Sequence, residues 1–107
     1  MQQVSPRDLQ AWLADPGRPA PLLLDVREPG EFEICHLQNS MLMPMGSVPA
    51  RYPELDRNAE TVVICHHGMR SMRVAMFLEQ QGFGRVINLT GGVAAWAHDV
   101  DPAMPTY

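Results

Sequence analysis

The 107-residue chain is 46% hydrophobic and 19% charged, enough for one modest core and ordinary for a soluble fold. Its formal net charge of −4 argues against a surface for nucleic acid or anionic membrane, since both need clustered positive charge. All 8 basic residues are arginines, which excludes a lysine Schiff base and a P-loop lysine, so any bound anion must be held by arginine, backbone N–H groups or helix termini.

The segment from Met1 to Arg7 has no apolar run that could form a signal-peptide centre. No stretch nears the roughly 18 apolar residues of a membrane span, so a cytoplasmic location is expected. Ser5-Pro6-Arg7-Asp8 starts a helix, with Ser as N-cap, Pro at the first position and an acid in the first turn. Leu9, Trp12 and Leu13 form its apolar stripe, and the run from Asp15 to Pro21 ends it in a surface loop. Leu22–Val26 is an apolar run interrupted only by Asp25, as in a strand covered on both faces. Pro29 opens a short helix through Phe32 and Ile34, Met41–Met43 is a short strand closed by Pro44, and Val48–Leu55 holds a helical turn limited by two prolines.

Thr61–Cys65 is the clearest strand, being rich in β-branched residues. After His66-His67-Gly68-Met69-Arg70-Ser71, residues Val74, Ala75, Phe77 and Leu78 mark a helix, with Gly82 at its C′ position. Arg85–Leu89 reads as a last strand. Thr90-Gly91-Gly92 turns the chain into a short helix around Trp96, and 99–107 reads as an irregular tail. Apolar strands alternating with amphipathic segments indicate an α/β fold, and no repeat or linker divides the chain, so residues 1–107 form a single domain.

The chemistry concentrates at Cys65. Two cysteines, Cys35 and Cys65, are too few for a disulfide framework, so both are expected as thiols. Cys65 sits at the end of a strand and before a helix, and in open α/β sheets sites form at the carboxyl edge. A helix N-terminus presents unpaired N–H groups and about half a unit of positive charge, which favours an anion. Gly68 permits the dihedrals that turn successive amides inward as a cradle for an oxyanion or for the outer sulfur of a persulfide.

Cys65-x-x-Gly68-x-Arg70-Ser71 after a β-branched run resembles the active-site loop of rhodanese-like sulfurtransferases. Leu23-Leu24-Asp25-Val26-Arg27-Glu28, with Glu31-Phe32 and His36, resembles that family's first signature. Gly82-Phe83, Val86-Ile87-Asn88-Leu89, Gly91-Gly92-Val93 and Ala95-Trp96 are similar to its closing segment. The tail, from Val100-Asp101-Pro102 to Pro105 and Tyr107, is similar to that of rhodanese domains fused to enzymes that adenylate sulfur-carrier proteins. The resemblance implies a single rhodanese-like domain, with a doubly wound, mainly parallel five-stranded sheet flanked by helices on both faces. It also implies sulfur transfer with Cys65 as nucleophile and no cofactor beyond a covalent Cys65 persulfide. His66, His67, Gly68, Met69, Arg70 and Ser71 would form the persulfide-binding loop, with Arg70 either attracting an anionic donor or locking the loop. The donor would be a small anion such as thiosulfate. The acceptor would be cyanide, a thiol or a sulfur-carrier protein, with no nucleic-acid or membrane partner and a monomer expected.

Two other functions compete with this one. A binding or sensor module could use the same shape without turnover. A phosphatase or arsenate reductase would need the longer Cys-x5-Arg loop of those relatives, whereas Cys65 to Arg70 is Cys-x4-Arg. No metal is expected, because the adjacent His66 and His67 lack convergent ligand spacing. Asp25, Arg27 and His36 read as supporting structural residues, Asp25 bracing the loop backbone and Arg27 pairing with Glu28 or Glu31. Cys35 stands where the family usually has Gly, and is either a packed thiol or a resolving partner for an oxidised Cys65. Met69 would form an apolar rim.

Overall fold

A computed structural model describes residues 1–107. In chain order the elements are β1 (Gln2–Val4), α1 (Pro6–Ala14), β2 (Leu22–Asp25), α2 (Pro29–Ile34), β3 (Met41–Leu42), α3 (Val48–Arg51), β4 (Thr61–Ile64), α4 (Met69–Gln80), β5 (Val86–Leu89) and α5 (Gly92–Asp99). Single 3-10 turns, Met45–Ser47 and Tyr52–Glu54, flank α3, so the helical turn expected near Val48 is a string of three short pieces broken at the prolines.

The five strands are all parallel, in the order β1-β5-β4-β2-β3. From β2 the chain moves outward to β3 and then returns to the far side of β2 as β4, continuing to β5. The winding direction therefore reverses around β4, and in doubly wound sheets ligand sites lie outside the carboxyl ends of strands at such a reversal. Cys65 occupies that end.

Side chains alternate across the sheet with the period of two that strands impose. On one face Leu24, Val26, Val63 and Cys65 pack with Val48, Val74, Ala75 and Leu78. On the other, Leu23, Val62, Ile64 and Ile87 pack with Leu9, Trp12, Val93 and Trp96. Helices α3 and α4 thus cover one layer, and α1 and α5 the other. The cap at Ser5 forms as its sequence implies, with Ser5 Oγ accepting from the Asp8 amide at 3.1 Å.

Two details depart from the sequence reading. The edge strand β1 has no signal in its own composition, because two of its three residues are glutamines; parallel pairing with β5 from Gln2–Ile87 to Val4–Leu89 makes it a strand. Helix α5 runs to Asp99, so irregular backbone begins at Val100 and not at residue 99.

Leu78 is fully buried under the sheet while Leu13 is 38% exposed. Leu78→Ala is expected to cost about 2–5 kcal/mol in urea denaturation, and Leu13→Ala well under about 1 kcal/mol, because only the first leaves a cavity in a closed layer.

Candidate active site

Strand β4 ends at Ile64, the chain bends through His66 and His67, and Gly68 adopts φ +103 before α4 begins at Met69. That dihedral lies in the left-handed region, where glycine alone is unstrained. The turn brings the Gly68 amide to 3.0 Å from Cys65 Sγ, and the Ser71 hydroxyl to 3.3 Å on the first turn of α4. Cys65 is only 1% exposed. It belongs to the apolar layer beneath α4, yet its sulfur meets an N–H donor and a hydroxyl. The amides of Met69, Arg70 and Ser71, the first three of α4, have no carbonyl partner within the helix.

The carbonyls on the back of this bend are taken by the start of α5. The Val93 amide donates to Cys65 O at 2.9 Å, and the Ala94 amide to His66 O at 3.1 Å. This contact explains Gly92, which has φ +61 and whose Cβ would overlap the carbonyl oxygens of Cys65 and His66; Gly91, with φ +74, is required by its backbone conformation and by Ala95, which its Cβ would overlap.

Two ion pairs brace the site. Asp25 and Arg27 are both fully buried, with Arg27 Nη2 at 2.7 Å and Nε at 2.9 Å from the carboxylate. Asp25 also accepts from the Arg27 amide at 3.1 Å, closing a turn in the backbone just after β2. Arg27, however, pairs with Asp25 and not with Glu28 or Glu31. Its side chain folds back over β2 and donates to Cys35 O at 2.6 Å, reaching Glu31 only through that residue's carbonyl, at 3.3 Å. Burial opposes the Arg27 charge, but the hydrogen bonds to Asp25 and Tyr107 more than offset it and hold the guanidinium ionised. Glu31 instead joins Arg70 in a fork, both contacts at 2.8 Å. This hydrogen bonding holds Glu31 well below the usual carboxylate range and raises Arg70 in turn. Of the two expectations for Arg70, locking the loop is the one this geometry fits.

The tail adds Tyr107, which belongs to the tail's family likeness but has no site role in the sequence reading. The Tyr107 hydroxyl donates to Glu31 Oε2 at 2.7 Å and accepts from Arg27 Nη1 at 3.0 Å, linking the two ion pairs. Its ring stacks on His66 at 4.0 Å, and His66 lies against His67 at 3.9 Å. Burial, and then the neighbouring His67, lower the His66 pKa and favour its neutral form. Tyr107, Thr106, His66, His67, Val93 and Cys35 are among the residues lining a cleft of about 120 Å³ beside the loop.

Cys35 packs in the layer opposite Cys65, on the far face of the sheet, so pairing the two sulfurs requires the loop to rearrange. A packed thiol 3.8 Å from Arg27 Nη1 is the arrangement seen. His36 is exposed, donates through Nδ1 to Phe32 O at 2.8 Å and stacks on the Phe32 ring, away from Cys65. Met69 stands 67% exposed at the crown of the loop. A second residue without prior assignment is Asn88, a polar side chain buried in β5 behind Ser71; its polarity inside an apolar strand was the available signal.

The family model described as Rhodanese-like domain matches residues 5–99. A sulfurtransferase of Allochromatium vinosum is 40% identical over 71% of this chain and 71% of its own length. A probable adenylyltransferase/sulfurtransferase, MoeZ of Mycobacterium tuberculosis, is 37% identical over 97% of this chain, which spans only 26% of that protein. For a chloroplastic rhodanese-like/PpiC domain-containing protein of Arabidopsis thaliana, 43% identical, the span is 30% of its length. Among solved structures, a rhodanese-related protein from Thermoplasma volcanium superposes with a TM-score of 0.84 at 29% identity, covering 94% of each chain.

Gly92→Ala is expected to lower the urea midpoint, with about 1–3 kcal/mol from the left-handed φ alone, whereas Gly84→Ala, which meets no atom within 4 Å, stays within about 0.5 kcal/mol. The folded pKa of Glu31 is depressed, so its pairing contributes stability above the unfolded-chain value of about 4.3 and loses it as pH falls below that value. Denaturation midpoints between pH 7 and pH 3 are therefore expected to fall less steeply in Glu31→Gln than in the wild type.

Proposed function

The chain belongs to the rhodanese-like domain family, and on that footing we propose that it is a sulfurtransferase carrying sulfane sulfur as a persulfide on Cys65. The observation that carries this reading is the Gly68 amide aimed at Cys65 Sγ from 3.0 Å, at the positive end of α4. In the first step the Cys65 thiolate attacks the outer sulfur of a donor such as thiosulfate. A sulfur–sulfur bond forms on Cys65, the donor's sulfur–sulfur bond breaks, and sulfite leaves with the electron pair. An acceptor nucleophile then takes the outer sulfur and returns the thiolate: cyanide becomes thiocyanate, and a thiol becomes a persulfide. With a carrier protein whose C-terminal carboxyl is adenylated, the Cys65 persulfide is itself the nucleophile: it displaces AMP to form an acyl disulfide, and two thiols, oxidised together to a disulfide, then release the thiocarboxylate and the Cys65 thiolate.

The protein's part is to hold an anionic sulfur. The Gly68 amide, the unpaired amides of the first turn of α4 and the Ser71 hydroxyl are donors of the kind that suit it. Arg70 contributes positive potential near Cys65 while staying locked on Glu31. His66, held neutral and stacked under Tyr107, and His67 shape the approach to the loop. The sulfur-carrier acceptor is favoured by the name of one relative, a putative sulfur carrier protein of Bacillus subtilis. Two free thiols suit a reducing compartment such as the cytoplasm.

Incubation with thiosulfate is expected to add about 32 Da, one sulfur atom, to the intact protein. Cyanide should remove the addition, and Cys65→Ala should never acquire it. Folded protein that takes up no sulfur from thiosulfate or from a persulfide donor would leave the binding-module function in its place.

A further inference from the structure

Asn88 has no part in that scheme, yet both ends of its side-chain amide are bonded behind the nucleophile. It is 1% exposed in the middle of β5. Its Nδ2 donates to Gly68 O at 3.2 Å and to Gln3 Oε1 at 3.1 Å, and its Oδ1 lies 2.5 Å from Ser71 Oγ. Ser71 Oγ is in turn 3.3 Å from Cys65 Sγ, and the Gly68 amide points at the same sulfur. Cys65, Ser71, Asn88 and Gly68 therefore close a ring.

The proton positions in this ring follow from what each atom can do. Gly68 O only accepts, so the amide atom facing it is nitrogen, and Oδ1 faces Ser71. Oδ1 also only accepts, so the single Ser71 proton points at Asn88. Towards the sulfur Ser71 then offers a lone pair. That suits a thiol, whose S–H can donate to Ser71 Oγ. It does not suit a sulfur anion, which needs the hydroxyl proton turned towards it.

We propose that Asn88 is a positioning residue for the Cys65 sulfur, holding the Ser71 proton while the sulfur is a thiol and yielding it to Sγ when the sulfur becomes an anion. The proposal rests on Cys65 being the reactive sulfur. A hydroxyl between two acceptors has only two stable settings, and a hydrogen bond to an ionised partner is the stronger one. Asn88 cannot follow the hydroxyl, because Gly68 O and Gln3 Oε1 fix its amide. Ser71 is thus a two-position donor, and Asn88 sets how readily it turns. Holding Gly68 O, Asn88 also fixes the glycine whose amide meets the sulfur.

The two actions of Asn88 separate in a double-mutant cycle, because the anchoring of Gly68 is common to both backgrounds and cancels. The readout is the rate of Cys65 carboxamidomethylation by iodoacetamide as a function of pH, resolved from Cys35 by peptide mass spectrometry. The ionisable neighbours Glu31, His66, His67 and Arg70 are unchanged throughout. Asn88→Ala frees the hydroxyl for the sulfur, so at pH 7 its effect on the rate should be more accelerating with Ser71 present than in Ser71→Ala, by about threefold or more. The pH profile should move downward between the same pairs. Equal factors in the two backgrounds overturn the proposal. If Asn88→Ala loses its native circular dichroism, Asn88→Asp tests the same coupling with opposite sign, since a carboxylate holds the hydroxyl harder. It should slow alkylation more with Ser71 than without, and equal slowing overturns the proposal. Alkylation needs no sulfur donor, so a failure of persulfide loading in the wild type leaves this result readable on its own.

Discussion

A tight bend that turns its amides inward must turn its carbonyls outward, and buried carbonyls need partners. In this protein the partners are the first amides of α5, which bond Cys65 O and His66 O. That contact requires α5 to begin almost in van der Waals contact with the loop, which only a residue without a side chain permits at position 92. Gly92 is therefore part of the site although it carries no chemistry. Two helices meet the loop with their N-terminal ends: α4 from the front, where its N-cap amide, Gly68, and the Ser71 hydroxyl meet the sulfur, and α5 from behind, where its amides bond the loop carbonyls.

Around this bend the charges are fully committed. Arg27 is closed by Asp25, Cys35 O and Tyr107, and Arg70 by Glu31. A buried ion pair such as Asp25–Arg27 is poor evidence for net stability, because desolvation consumes much of the attraction. Its geometry is informative in another way. One guanidinium ties the end of β2 to the carbonyls of Glu31 and Cys35 and to the tail, while the Glu31–Arg70 fork ties α2 to the first turn of α4. The loop is held from α2 through Arg70, from β5 through Asn88, from α5 through Val93 and Ala94, and from the tail through the Tyr107 ring, whose hydroxyl joins the two ion pairs.

The strands that bear the site were legible because a parallel sheet buries both faces, which leaves Leu22–Val26 apolar but for Asp25 and Thr61–Cys65 apolar beyond its first residue. The loop was legible for a different reason: Gly68 and the helix start are local consequences of local residues. What was not legible depends on partners far along the chain. Gln2–Val4 is a strand only because β5 is beside it, and Tyr107 is a site residue only because the tail crosses back over His66. The choice of Asp25 over Glu28 or Glu31 as the partner of Arg27 turned on a side chain folding back along its own strand, which spacing alone does not decide. Asn88 was hidden by its neighbours: Val86, Ile87 and Leu89 make an apolar strand signal strong enough to absorb one amide.

The proposed function requires the polar groups around position 65 to hold a sulfur anion. The most direct measurement is a high-resolution crystal structure of protein loaded with thiosulfate and frozen before any acceptor is added. Extra density bonded to Cys65 Sγ is expected, with the outer sulfur facing the amides at the start of α4 and Arg70 still forked on Glu31. Outer-sulfur density directed into the apolar layer under α4, or an unmodified Cys65 in protein that has turned over thiosulfate, would contradict the proposed function.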